Sequence, residues 1–240
     1  MRNRMGKKLA FITPGMRAVL SASLSIFALA LVVSSYSLAR QQTVTLDPET
    51  EDEARLNRLL PPDEIMEAME VTPGMIVAEI GAGRGRFVVR LADRLGSTGK
   101  VYAEDIDAEA LNHLEERCRR LGFTNVKTIV GDITDPRLPG GELDLLVVIS
   151  SYHHFAEPVA LLRNARSALK PEGRLAVAEW LPWSENDMEG TPRKTLEAQM
   201  EAAGYALERV EALSAAKPLN IYIFRIHQCL NPIPNPPNPI

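Results

Sequence analysis

Cysteine is nearly missing from this chain: Cys118 and Cys229 are the only two in 240 residues. Thiols so far apart supply neither a disulfide framework nor the paired spacing of a zinc site, and no metal-ligand set is read elsewhere. Both are taken as ordinary packed residues, as are His113 on a charged helix face and His227 at a strand end. Internal repeats are absent, and so is any stripe of basic residues interleaved with aromatics. Acidic residues are missing from one region only: positions 1–39 carry Arg2, Arg4, Lys7, Lys8 and Arg17 but no Asp or Glu. The formal net charge of −4 therefore hides an acidic body, 22 basic against 31 acidic side chains once those five are set aside. A body of that sign repels phosphate backbones, which argues against a nucleic-acid partner. An apolar share of 45% with 24% charged residues describes a globular chain, long enough for one domain with appendages.

Charge is lacking altogether from Ala18 to Ala39, whose most apolar part is Ile26–Val33. As a helix, that stretch would reach about 33 Å, enough for a bilayer core of roughly 30 Å. Ser37-Leu-Ala39 also suits the small-x-small rule of signal peptidase, with cleavage before Arg40. Serines at 21, 23, 25, 34, 35 and 37 dilute the apolar run and weigh against an anchor. Residues 1–39 are read as a signal peptide or a membrane anchor. Either use exports the body, with membrane association through residues 18–39 in the second case; a chain that does not use the segment stays cytoplasmic.

Residues 40–72 form a linker and N-terminal helices, one from about Asp47 to Leu60 and a short one from Pro62 to Glu70 after the Pro61-Pro62 break. Beyond residue 73, strand-like and helix-like segments alternate. Strands are expected at Met75–Ile80, Lys100–Asp105, Val126–Val130, Leu143–Ile149 and, after a Pro171-Glu-Gly173 turn, Arg174–Glu179. Helices are expected at Gly85–Leu95, at Ala108–Leu121 with Gly122 closing it, at Pro158–Leu169 and at Pro192–Ala203. Leu143–Ile149 is an apolar run, as a strand buried on both faces requires. Two strand-like runs follow, Ala206–Leu213 and Asn220–His227. The alternation predicts right-handed crossovers and a Rossmann-like, doubly wound α/β domain over residues 73–228. Its sheet should have seven strands, mostly parallel, with an antiparallel C-terminal edge strand. Residues 229–240, rich in Pro and Asn, suit neither helix nor central strand and read as a disordered tail.

One more absence narrows the ligand. In Val77-Ala-Glu-Ile-Gly-Ala-Gly-Arg-Gly-Arg-Phe87, an apolar strand runs into glycines at 81, 83 and 85. The dinucleotide fingerprint needs glycine at 86, and Arg86 stands there, which argues against a nucleotide-dependent oxidoreductase. The G-x-G-x-G pattern, with Glu79 two residues ahead, instead resembles motif I of the class I S-adenosylmethionine-dependent methyltransferases. The resemblance runs from Met75 to His227 through Val101-Tyr-Ala-Glu-Asp-Ile-Asp107, Val130-Gly-Asp-Ile133, Leu143–Ile149 and Leu169-Lys-Pro-Glu-Gly-Arg-Leu175. Within the superfamily, small bacterial methyltransferase-domain proteins of unassigned substrate are the most similar. Arsenite methyltransferases look related in the core, but their cysteine thiolates have no counterparts in Cys118 and Cys229.

That resemblance implies S-adenosylmethionine as cofactor. It makes Gly81, Gly83 and Gly85 the close-approach backbone and Glu79 the acid that orders the loop and reaches toward the ligand amino group. Asp105 becomes the acceptor for the ribose hydroxyls, with Glu104 and Asp107 as competitors, since a carboxylate offers two oxygens to two donors. Asp132 is assigned to the adenine amino group, Ile133 to the ring, and Ser150 to the cofactor rim. Arg84 and Arg86 either pair with the ligand carboxylate or project into solvent.

Methyl transfer also needs a route for a proton when the acceptor is O–H or N–H. Ser150-Ser-Tyr-His-His-Phe155 lies after strand four, at the switch-point crevice. It supplies Tyr152, His153 and His154 as catalytic candidates, and Glu179 after strand five is the fourth. The competing role for the histidines is packing under the cofactor or capping the next helix. The loop from Leu181 to Thr191 and the N-terminal helices are expected to cover the acceptor, a small molecule of unidentified structure. The alternative is an exported, non-catalytic ligand-binding module that keeps the methyltransferase fold.

Overall fold

A computed structural model describes residues 46–182, 184, 189–213 and 218–227. The expectations for residues 1–45, for Cys229 and the 229–240 tail, and for much of the loop from Leu181 to Thr191 lie outside the described residues. Among those described, no helix is long and apolar enough to cross a membrane.

The elements follow in the order α1 (Glu51–Leu59), α2 (Pro62–Ala68), β1 (Ile76–Ile80), α3 (Val88–Leu95), β2 (Lys100–Asp105), α4 (Ala108–Leu121), β3 (Val126–Val130) and β4 (Leu143–Ile149). The chain continues through α5 (Pro158–Ala165), β5 (Leu169–Trp180), α6 (Arg193–Ala203), β6 (Tyr205–Leu213) and β7 (Leu219–Ile226). Local chemistry sets several of these bounds. The Thr50 hydroxyl accepts from the Glu53 N–H at 3.0 Å and starts α1. Asp107 does the same for α4, accepting from the N–H groups of Glu109 and Ala110, while Gly122 closes that helix in the left-handed conformation.

Seven strands form one sheet in the order β3-β2-β1-β4-β5-β7-β6. The first five are parallel, and β7 runs antiparallel to both neighbours. Alternate side chains of each strand face opposite layers. Val77, Val101, Leu145 and Val147 pack against α1 to α4, while Ala78, Tyr102, Leu146 and Val148 pack against α5 and α6.

Two expectations need correction. The antiparallel strand is not the edge strand: β7 lies one place inside, and β6 forms the edge. The burial patterns give the reason, since Leu219–Phe224 is buried throughout and β6 is largely exposed or half-buried, so the apolar strand takes the covered position. Pro171-Glu-Gly173 is also not a turn ahead of a strand. It is an excursion inside β5, where Leu143 pairs with Leu169 and Leu145 already pairs with Arg174. Such a bulge tolerates a proline, which has no N–H for the ladder.

Candidate active site

The carboxyl ends of β1, β2, β3 and β4 converge on one cleft of about 380 Å³, within the roughly 300–1,000 Å³ usual for ligand pockets. Gly81 sits at its floor with φ +77°, and a Cβ there would fall 2.7 Å from Ser151, so only glycine lets the two loops meet. Gly85 serves packing: a Cβ would lie 2.1 Å from a Leu114 methyl on α4. A Cβ on Gly83 would meet nothing within 4 Å, so its backbone faces open space.

Asp105 ends β2 and ties the loops together. Its Oδ2 accepts from the Gly83 N–H at 2.7 Å and its Oδ1 from the Asp107 N–H at 2.9 Å. A carboxylate accepts about four hydrogen bonds, so capacity remains for a ligand. The two competitors are placed differently. Asp107 is committed to capping α4, and Glu104 is buried beneath the cleft, where loss of solvent and then the neighbouring Asp105 raise its carboxyl to about 8. Asp132 lines the far wall; its Oδ1 accepts from the Ile133 N–H at 2.7 Å. Ile106 and Ile133 are 62% and 49% exposed beside it, unusual for residues so apolar, and offer two faces to a flat ring.

Glu79 lies on β1, almost wholly buried, with its Oε2 lacking a hydrogen-bond partner. Desolvation raises this carboxyl to about 8, opposed by Arg86 and reinforced by Asp105. The loop arginines diverge. Arg84 is exposed and meets His113 at 2.8 Å, whereas Arg86 is half-buried and donates to Asn57 on α1 at 3.1 Å. Helix α1 is held over this side of the glycine loop, with Glu53 accepting from Arg117 at 2.7 Å.

At the end of β4, the four proposed side chains separate into two groups. His153 Nδ1 is 2.8 Å from Glu179 Oε1, with Glu179 fully buried and its Oε2 unpartnered. The His154 ring lies 4.1 Å from that of His153 and lines the cleft. Tyr152 does not belong with them. Its ring is buried in the core under α5 and α6, its hydroxyl donates to Gln199 at 2.7 Å, and burial pushes its pKa up. Ser150 is displaced too. It takes φ +53° as β4 ends, which turns its hydroxyl to accept from the Trp180 indole N–H at 2.9 Å, and Ser151 lines the cleft in its place. Ile106, Ser151 and Phe155 were not singled out from sequence. The one available signal was an isoleucine directly after Asp105 at the end of β2, apolar where a loop should be polar.

A doubly wound sheet whose carboxyl edge joins a glycine loop, ordered acids and an apolar cleft defines a nucleoside-binding α/β protein. A family described as a methyltransferase domain matches residues 71–219, and the chain belongs to it, within the class I S-adenosylmethionine-dependent methyltransferase superfamily. S-adenosylmethionine is the cofactor of that superfamily. The chain is 25% identical over 118 residues to nocamycin O-methyltransferase of Saccharothrix syringae, covering 49% of this chain and 42% of that protein. It is 33% identical over 109 residues to an arsenite methyltransferase of Aquipseudomonas alcaligenes, covering 42% and 32%. The ubiquinone/menaquinone biosynthesis C-methyltransferase UbiE of Escherichia fergusonii is 28% identical over 111 residues, covering 46% and 44%. The chain thus spans less than half the length of these relatives. In fold it is similar to a SAM-dependent methyltransferase from Aquifex aeolicus, with a TM-score of 0.67 and 23% identity over 75% of this chain and all of that one.

Proposed function

We propose that this chain transfers the methyl group of S-adenosylmethionine to a small acceptor, with the adenosine held in the cleft between Ile106 and Ile133. The convergence of Asp105 and Asp132 on that apolar cleft carries the reading. The residues fit such a group: carboxylates stand where ribose hydroxyls and an adenine amino group need acceptors, Gly83 faces open space, and buried Glu79 Oε2 has no protein partner.

The cofactor supplies a methyl already activated on sulfur, so the protein contributes alignment and a dry site, the first worth up to about 10 kcal/mol. Proton removal falls to His153. Glu179 holds Nδ1 as a donor, which leaves Nε2 to accept a proton from the acceptor nucleophile. His154, on the cleft wall, borders the acceptor. The relatives' names point to different acceptors, one O-, one C- and one arsenite-methylating. Arsenite-type thiolate chemistry is disfavoured for the described residues, because Cys118 is buried and its thiol is pushed up to about 11. Neither loop arginine lines the cleft, which removes one motive for a non-catalytic module.

Calorimetry on the full chain with S-adenosylmethionine tests the proposal. One-site binding is expected, and no detectable binding would end it. Radiolabelled methyl transfer into metabolite mixtures then identifies the acceptor. Use of residues 1–39 as signal or anchor belongs to the same proposal, and an intact Met1 in soluble cytosol would refute it.

A further inference from the structure

Among the described residues, Ser150 is one of three outside glycine with positive φ, and it stands at the end of β4 where the site begins. At φ +53° an L side chain is strained, and such a backbone persists only where its surroundings hold it. Three hydrogen bonds hold this turn. The Ser150 N–H donates to the Ala178 carbonyl at 2.8 Å, and the Ser150 hydroxyl accepts from the Trp180 indole N–H at 2.9 Å. The Ser151 hydroxyl donates to the Ile80 carbonyl at 3.1 Å. The turn has a consequence for His153. Ile149 packs in the same layer as Trp180, and an alternation continued past β4 would send residues 151 and 153 into that layer too. Glu179, next to Trp180 on β5, faces the opposite layer, so the left-handed turn is what lets His153 reach it.

Trp180 holds both halves of the pair. Its indole fixes the turn that carries His153. Its backbone N–H donates to Glu179 Oε1 at 3.1 Å, the same oxygen that lies 2.8 Å from His153 Nδ1. Trp180 is itself fixed: it is 6% exposed, pairs with Leu219 of β7, and its carbonyl accepts from the Thr191 N–H at 3.1 Å. Neither Ser150 nor Trp180 lines the adenosine cleft, so cofactor contact does not account for the bond between them.

We infer that Trp180 is a positioning residue for the base: through Ser150 it holds the strained turn that sets His153 against Glu179. The inference rests on the reading of His153 as the base, and two readouts keep the two ideas apart. Proton NMR on the full chain observes the His153 Nδ1–H without any acceptor. A ring N–H bonded to a buried carboxylate exchanges slowly with water, and His153→Gln identifies the signal by removing it. Trp180→Phe keeps the backbone N–H but loses the indole donor, and exchange should quicken roughly 10-fold. Ser150→Ala should do the same, whereas Ser150→Gly, which takes positive φ without strain, should restore slow exchange although it also lacks the hydroxyl. Radiolabelled methyl transfer from S-adenosylmethionine into the metabolite mixture that the wild type labels should fall about 10- to 100-fold in Trp180→Phe, with S-adenosylhomocysteine affinity unchanged in calorimetry. If circular dichroism shows Trp180→Phe unfolded, the Ser150 variants carry both readouts. Slow exchange retained in the folded variants overturns the inference, and so does fast exchange with an undiminished transfer rate. A His153→Gln chain that transfers methyl at the wild-type rate overturns the reading of His153 as the base instead.

Discussion

Where the strands begin, polar groups are tied down. Asp144 accepts from the Ile76 N–H at 2.8 Å and from Lys170 Nζ at 2.6 Å, and the Tyr102 hydroxyl donates to Glu142 at 2.6 Å. The Asn125 amide donates to the carbonyls of Ala92 and Gly96. Where the strands end, the same sheet leaves groups open. Glu79 and Glu179 each bury an unpartnered carboxylate oxygen, Glu104 is pushed to about 8, Ser150 is left-handed, and two isoleucines stand exposed. Satisfied groups stabilise, and buried unsatisfied ones cost about 1–3 kcal/mol each. The first end is thus built for stability and the second for a ligand that completes it.

Four substitutions would break or sharpen that contrast. The largest effect is expected at His153→Ala, which should slow methyl transfer by about 10²- to 10⁴-fold with little change in S-adenosylhomocysteine affinity. A parallel loss of affinity would make His153 a structural residue. Asp105→Ala should weaken S-adenosylhomocysteine binding by about 10- to 100-fold in calorimetry, since it removes a charged acceptor and frees the Gly83 N–H. At the opposite end, Asp144→Ala should cost about 1–3 kcal/mol in urea unfolding and leave the affinity of the folded protein untouched. If affinity fell with stability, the two ends would not be separable.

The last effect concerns pH. The Glu104 carboxyl sits near 4.5 in the unfolded chain and near 8 when folded, raised by burial and then by Asp105. The folded state therefore holds a proton that the unfolded chain releases. This contribution to stability is complete below about pH 4.5 and is lost as pH rises through about 8. Thermal unfolding should show the wild type losing stability relative to Glu104→Gln over that interval. Parallel curves would show that Glu104 is solvated.

Much of the frame was legible because its signals are local. Periodicity and punctuating residues placed β2, β3, β4 and α4 at the bounds they adopt, and Gly122 ended α4 as its left-handed conformation requires. The acids Glu79, Asp105 and Asp132 were singled out by their places in motifs that resemble those of the superfamily, and Arg86 argued against the dinucleotide fingerprint. By itself, then, the sequence determined the order of elements, the fold class and the class of cofactor.

Tertiary structure decided what depends on partners distant along the chain. Whether β6 or β7 takes the edge rests on which face the rest of the sheet covers. Asp107 turned out to cap a helix, which left Asp105 to face the glycine loop. The positive φ of Ser150 ends the strand alternation, so Ser151 and His154 reach the cleft, Tyr152 enters the core, and His153 meets Glu179 from a strand 26 residues away in sequence. No period encodes that rotation, because it is fixed by packing against β5 rather than by the residues of the turn.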